Sequence, residues 1–305
     1  MKKIFIDGSA GTTGLRIFER LSQREDIELI TLDDSVRKER GARKEAINRS
    51  DISFLCLPDD AAKEAVGMVE NPDTVIIDTS TAHRTDPAFT YGFPEVVGYD
   101  KIKNSRRIAN PGCHASGFTA LVFPLVRAGI IKKEARLCCF SLTGYSGGGK
   151  KMIALYEDRE RSPLLCAPRQ YGLCQNHKHL KEMAAVAGLE NPPVFCPVVG
   201  DFYSGMEVTV ALNRGDFCGC LFDIKEIFKE FYKNGLVEFS EQDEEGFLSA
   251  GLMSGKDKML VSAFGNEDRI ILVSRFDNLG KGASGAAIQN MNIVLGVDQR
   301  VGLEI

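Results

Sequence analysis

The sequence predicts an α/β protein in which a Rossmann-like, doubly wound parallel sheet is followed by a second domain built on a mixed sheet. Three observations carry this expectation. Short apolar runs alternate with amphipathic stretches as far as Asp78, a glycine-rich turn closes the first of these runs, and beyond Cys113 the apolar runs lengthen while helical spacing thins out. Strands alternating with helices form parallel βαβ units, whereas longer alternating runs with few helices between them form mixed or antiparallel sheets. With 305 residues the chain exceeds a usual single core and suits two domains.

Residues 4–7, 27–32, 52–57 and 75–78 read as strands, and 15–22, 38–48 and 61–69 carry helical spacing between them. A stretch marked by Pro87, Gly92, Pro94 and Gly98 reads as a linker that ends at Asn110-Pro111-Gly112. A helix is expected from Cys113 to about residue 127, then strands at 137–145, 194–202, 206–212, 259–264 and 270–276. Helical spacing returns over 283–295, opened by Gly280-Lys281-Gly282-Ala283-Ser284-Gly285. The expected division is therefore a nucleotide domain at 1–112, completed by the terminal helix at 283–305, and a catalytic domain at 113–282.

Composition narrows the class. Hydrophobic residues make up 44% and charged residues 26%, ordinary values for a globular protein. The net charge of -4, with both signs mixed along the chain, offers no footprint for nucleic acid. No signal peptide and no membrane span is expected. Nine cysteines, an odd number, suit reduced thiols in the cytosol better than a disulfide framework.

The first chemical motif is Gly8-Ser9-Ala10-Gly11-Thr12-Thr13-Gly14, placed between the first strand and the first helix. A pyrophosphate needs a tight turn, close backbone approach and free amides at a helix N-terminus, and this context supplies all three. Asp33 and Asp34 end the second strand, and Arg37, Lys38 and Arg40 follow. That cation cluster suits a 2'-phosphate and so NADP, although the same charges also suit a solvated helix start.

Asn110-Pro111-Gly112-Cys113 places a thiol at a helix N-terminus, where the dipole and unused amides stabilise thiolate and leave donors for an oxyanion. A buried packing thiol is the alternative. The four histidines are His83, His114, His177 and His179. His177 and His179 stand at a helix start with Glu182 about one turn on, able to orient an imidazole. Cys166, Cys174, His177 and His179 match no usual zinc spacing, so no metal is expected. Two segments suit anions: Asp78-Thr79-Ser80-Thr81-Ala82-His83-Arg84, with Ser80 and Arg84 as substrate-side candidates, and the loop containing Gly144, Ser146 and Gly147. Either also reads as a plain turn.

Taken together, these motifs resemble the N-acetyl-gamma-glutamyl-phosphate reductases, short-form branch. Further markers are Tyr171-Gly172 ahead of His177-Lys178-His179, and Asn278-Leu279-Gly280 leading to Gln289-Asn290-Met291-Asn292. The resemblance covers nearly the whole chain. It implies a semialdehyde-dehydrogenase-like catalytic domain, Cys113 as nucleophile, His177 as acid/base supported by Glu182, and Arg84 and Tyr171 on the substrate. It further implies Asn290 near the nicotinamide, NADPH as reductant, a small acyl phosphate as substrate and a homo-oligomer, dimer or tetramer. Two departures stand out: His114-Ala115-Ser116 where the family usually has an aromatic residue, Pro and Thr, and Lys181 where Pro is frequent. Aspartate-semialdehyde dehydrogenase chemistry and a non-catalytic NADP sensor are the rival readings.

Overall fold

Strand β1 (Lys2–Asp7) buries its last four residues and runs straight into the glycine turn and helix α1 (Thr12–Leu21). The computed structural model describes residues 1–305. It continues through β2 (Ile27–Ile30), α2 (Arg40–Arg49), β3 (Ile52–Leu55), α3 (Asp59–Gly67) and β4 (Val75–Asp78). Every residue of β3 and β4 is buried, the mark of parallel strands covered on both faces. The next elements are β5 (Thr90–Tyr91), α4 (Pro94–Val97), α5 (Tyr99–Lys103) and β6 (Arg107–Ala109). The strands form one six-stranded parallel sheet in the order β2-β1-β3-β4-β6-β5.

The segment expected to be a linker is therefore not one. Phe93, Val96, Ile102 and Ile108 are buried, and the segment adds two strands and two short helices to the sheet. Its elements are only two to five residues long, too short for periodicity to show, and the Pro and Gly residues mark the turns between them.

This unit comprises Met1–Pro111 and Ala283–Leu303. Its late piece is helix α10 (Gly285–Leu295), whose Ala287, Ile288 and Met291 pack with Ile4, Ile6, Ile17 and Leu21 on one face of the sheet. Phe5, Leu55 and Ile76 pack on the other face with Ala46, Ile47 and Ala65 from α2 and α3. Successive strands leave β1 in opposite directions, so the switch point lies between the loops that follow β1 and β3.

The second unit comprises Gly112–Gly282 and Glu304–Ile305. It contains α6 (Cys113–Arg127), β7 (Cys138–Gly144), α7 (Gly149–Glu157), β8 (Arg169–Gln170), α8 (His179–Ala187), β9 (Val194–Gly200), β10 (Met206–Asn213), α9 (Leu221–Phe231), β11 (Val237–Phe239), β12 (Met259–Gly265) and β13 (Arg269–Phe276). Seven strands form a mixed sheet in the order β11-β12-β13-β10-β7-β9-β8. Helix α6 lies flush on it: a Cβ at Gly117 would come within 2.5 Å of the Val208 side chain and 2.8 Å of Phe276. Pro124 sits inside this helix and cannot donate to the Ala120 carbonyl, which instead accepts the Tyr232 hydroxyl at 2.7 Å. Cys218 and Cys220 are exposed in the segment between β10 and α9. Gly219 between them has φ +80° and breaks the strand there.

Candidate active site

In the first unit the site is built on the loop after β1. Gly8 has φ +90°, and a Cβ there would run into the Cys56 carbonyl in the loop after β3. A Cβ at Gly14 would strike the Gly8 carbonyl. The two loops at the switch point therefore approach as bare backbone, and α1 starts at Thr12 with its first amides unused by the helix. Next to them lies a cavity of about 660 Å³ lined in part by Gly8, Ser9, Ala10, Gly11, Arg37 and Lys38. Asp33 and Asp34 are not in its lining, and Asp34 pairs with Arg37 at 3.1 Å. Asp7, beneath the loop, is ion-paired to Arg43 at 2.9 Å, which offsets its charge near any pyrophosphate. Burial raises the Asp7 carboxyl despite that partner.

Asn290, on α10, is fully buried; its Nδ2 donates to the Gly92 carbonyl at 2.8 Å, while its Oδ1 has no partner. A buried acceptor left open costs stability unless a ligand meets it. The open acceptor, the bare-backbone loops and the cation-lined cavity fit a nicotinamide dinucleotide. At the end of β4, buried Asp78 accepts from the Ser80 amide at 2.9 Å and hydroxyl at 2.8 Å, and meets His83 Nδ1 at 2.7 Å. The His83 ring stacks on Phe89 at 4.2 Å. Arg84 donates from Nε to the Asn110 carbonyl and from Nη2 to the Thr79 carbonyl, each at 3.0 Å. Ser80 and Arg84 thus tie this loop to the end of β6.

In the second unit Cys113 is the first residue of α6, half-buried, with Gly112 as N-cap. Glu182, buried on α8, accepts the Gly112 amide at 2.8 Å and so fixes the turn that carries the thiol. His177 sits just before α8, and its Nδ1 accepts the His179 amide at 3.2 Å. In the neutral ring the proton is then on Nε2. Burial, and after it the charge of Lys178, hold His177 below the usual imidazole range. The rings of His114, His179 and Phe195 lie 5.8, 4.8 and 5.2 Å from His177. His114 turns into the unit, with Nδ1 2.7 Å from the Ser141 hydroxyl and Nε2 2.8 Å from the Tyr171 hydroxyl. Burial drives its pKa down to about 3. Burial, and after it the charge of the Cys113 sulfur, raise the Tyr171 phenol above its usual range.

The loop after β7 is also fixed. Gly144 passes the Tyr203 carbonyl so closely that a Cβ would lie 2.6 Å from it. The Ser146 hydroxyl accepts from Asn278 Nδ2 at 3.0 Å, and Gly147 faces the same amide group. Cys113, Tyr171, His177 and Glu182 are thus gathered around the start of α6, while the glycine loop, Arg37, Lys38 and Asn290 belong to the first unit. Sequence reasoning did not find Ser141, Phe195 or the buried position of His114, because only strand pairing brings β7 and β9 together beneath α6. The His114-Ala115-Ser116 departure was the one available signal.

Comparison with known proteins gives a consistent result. The family model for the semialdehyde dehydrogenase dimerisation domain matches residues 113–278, and that for the semialdehyde dehydrogenase NAD binding domain matches 33–105. The chain is 42% identical over 318 aligned residues to N-acetyl-gamma-glutamyl-phosphate reductase 2 of Nostoc sp., covering 99% of each. It is 43% identical to N-acetyl-gamma-glutamyl-phosphate reductase of Brucella ovis, covering 96% of this chain and 99% of that one. Among solved structures, aspartate semialdehyde dehydrogenase II from Vibrio cholerae, complexed with ASA, has a TM-score of 0.74 at 17% identity, covering 97% of this chain and 98% of its own. Aspartate semialdehyde dehydrogenase with NADP from Candida albicans has a TM-score of 0.68 at 14% identity, covering 97% and 99%. These two share the fold.

Proposed function

Because the chain belongs to the N-acetyl-gamma-glutamyl-phosphate reductase family, we propose that it reduces N-acetylglutamyl 5-phosphate to N-acetylglutamate 5-semialdehyde and phosphate, with Cys113 as nucleophile, His177 as acid/base and NADPH as reductant. The observation that carries this reading is Cys113 at the first position of α6, with its turn tied by Glu182 to the helix that follows His177. A sulfur there meets the positive end of the helix and its unused amides, which stabilise thiolate and then the acyl oxyanion.

The Cys113 sulfur attacks the acyl carbon, the carbon–oxygen bond to phosphate breaks with its electron pair, and a thioester remains. Hydride for the thioester carbon would come from a reduced nicotinamide when bound. His177 lends a proton to the resulting oxygen and recovers it as the carbonyl re-forms, the carbon–sulfur bond breaks, and the aldehyde leaves. Glu182 keeps the nucleophile's turn in place. The Gly8 to Gly14 loop would hold the pyrophosphate, Arg37 and Lys38 a 2'-phosphate, and the open Asn290 Oδ1 an amide donor of the nicotinamide. Gly144, Ser146, Gly147 and Tyr171 bound the substrate side, and Ser80 and Arg84 shape the Asp78 loop. The face of the mixed sheet that carries Phe140 and Ile271 would join two copies.

The test pairs Cys113→Ser with mass spectrometry of the wild type mixed with acyl phosphate and no reductant. Expected are loss of turnover with dinucleotide binding kept, and an acyl adduct on the Cys113 peptide. Turnover in Cys113→Ser, or preference for aspartate semialdehyde in the reverse reaction with phosphate, would overturn the proposal.

A further inference from the structure

The glycine-rich segment after β13 meets the nucleophile as bare backbone. A Cβ built at Gly282 would lie 3.0 Å from Cys113 Cβ, 3.1 Å from the Asp277 carbonyl oxygen and 3.2 Å from the Phe276 ring. Each distance is shorter than an ordinary van der Waals contact, so only a hydrogen fits between this backbone and the carbon that carries the thiol. Gly282 does not have a left-handed backbone. A side chain there is opposed by its neighbours and not by its own φ.

Both sides of the contact are fixed. On one side, Cys113 opens α6, and its turn is tied through the Gly112 amide to Glu182 at 2.8 Å. On the other, Gly282 lies in a single π-helical turn, Gly280–Ser284, and its amide donates to the Asp277 carbonyl at 3.0 Å. The fully buried Asp277 carboxylate accepts the amides of Leu279 and Gly280 at 2.7 and 2.9 Å, the Ser204 hydroxyl at 2.9 Å and the Gly255 amide. A buried carboxylate with donors on both oxygens is a stiff anchor, because each bond lost leaves charge unsolvated. Turns of the π type are rare and gather at functional sites.

We propose that Gly282 is a positioning residue for the Cys113 sulfur and that Asp277 holds it in place. The proposal rests on Cys113 being the nucleophile. The sulfur has three staggered positions about its Cα–Cβ bond, and backbone packed against Cβ closes part of that arc. Stabilisation of thiolate and oxyanion by the α6 amides depends on a sulfur held in one direction.

Gly282→Ala adds one methyl at the contact. Expected are a kcat lower by about ten-fold with KM for the acyl phosphate little changed. Alkylation of the Cys113 peptide by iodoacetamide, which needs no substrate, should show a midpoint at higher pH, since a displaced sulfur loses part of the amides' stabilisation. Asp277→Asn keeps the volume but replaces one acceptor oxygen by a donor, which loosens the turn. In that background the added methyl should cost no more than about two-fold in kcat, because the turn can withdraw. A parental kcat in Gly282→Ala, a loss carried by KM alone, or penalties that multiply in the double variant would overturn the proposal. Should Asp277→Asn fail to fold, Ser204→Ala removes one of the carboxylate's donors instead and is judged by the same cycle. Should Gly282→Ala fail to fold, Asp277→Asn alone must lower kcat with KM kept, and a parental kcat there counts against the proposal. An unmoved alkylation midpoint in Gly282→Ala overturns it whatever reaction the enzyme catalyses, whereas turnover in Cys113→Ser would sink the nucleophile assignment instead.

Discussion

The acid/base role proposed for His177 starts from a ring with one nitrogen already occupied. Its Nδ1 accepts the His179 amide, so Nε2 is the nitrogen left for the proposed proton transfer. Two influences hold the ring below its ordinary pKa, burial first and the Lys178 ammonium second. Both disfavour the imidazolium, by desolvation and by like-charge repulsion. Lys178 is exposed and follows His177 directly, so its charge can be removed without disturbing the core. Lys178→Met takes away one of two depressing influences, and the sign is then determined: the limb of the kcat/KM profile that reports His177 moves to higher pH. A limb that stays put or moves lower would mean that another group titrates there. Glu182→Gln keeps an oxygen for the Gly112 amide, and so separates positioning of the nucleophile's turn from carboxylate charge.

Among elements, the loop between β2 and α2 carries the cations proposed to select the dinucleotide. Arg37 and Lys38 line the cavity beside the glycine loop, and Asp33 and Asp34 do not. A carboxylate in the lining would favour a free ribose hydroxyl, whereas two cations favour a phosphate. Arg37→Ala with Lys38→Ala should raise KM for NADPH by roughly ten-fold or more while leaving that for NADH nearly unchanged. Equal losses for both cofactors would remove the 2'-phosphate assignment. This loop was legible because its cations follow a strand of recognisable pattern. The thiol at the start of α6 was legible for the same local reason, Asn110-Pro111-Gly112 being turn residues ahead of a helix. The Ser141–His114–Tyr171 hydrogen bonds beneath it were not. Ser141 and Tyr171 stand 27 and 57 residues from His114 along the chain, and neither carries a local sign of the pairing. Residues 87–112 misled for the opposite reason, since their Pro and Gly are real turns that punctuate elements too short to show a period.

At the scale of the whole molecule, the mixed sheet is covered on one face only. Helices α6 and α9 pack against it on one side, with α8 beside α6. On the other, register places Phe140 beside Thr209 and Cys196, and Ile271 beside Ala211 and Phe264. Phe140 and Ile271 are 43% and 42% exposed, and Val194 on β9 is 58% exposed. An antiparallel region with one dry face normally alternates apolar inward with polar outward. Here apolar side chains also occupy the outward positions of three strands, as expected of a face that meets a second copy in an isologous contact. Covering one phenylalanine contributes about 1.5–3 kcal/mol, and two-fold symmetry counts each side chain twice. Phe140→Asp with Ile271→Asp would bury two carboxylates per copy without partners, a cost that exceeds the apolar gain. Sedimentation should therefore find dimers or tetramers for the parent chain and monomers for the double variant. The sheet should fold in both, because neither residue belongs to the buried core. The β1 glycine loop lies in the other unit, so dinucleotide binding should persist in the monomer. A variant that sediments like its parent would assign the contact between copies to a different surface.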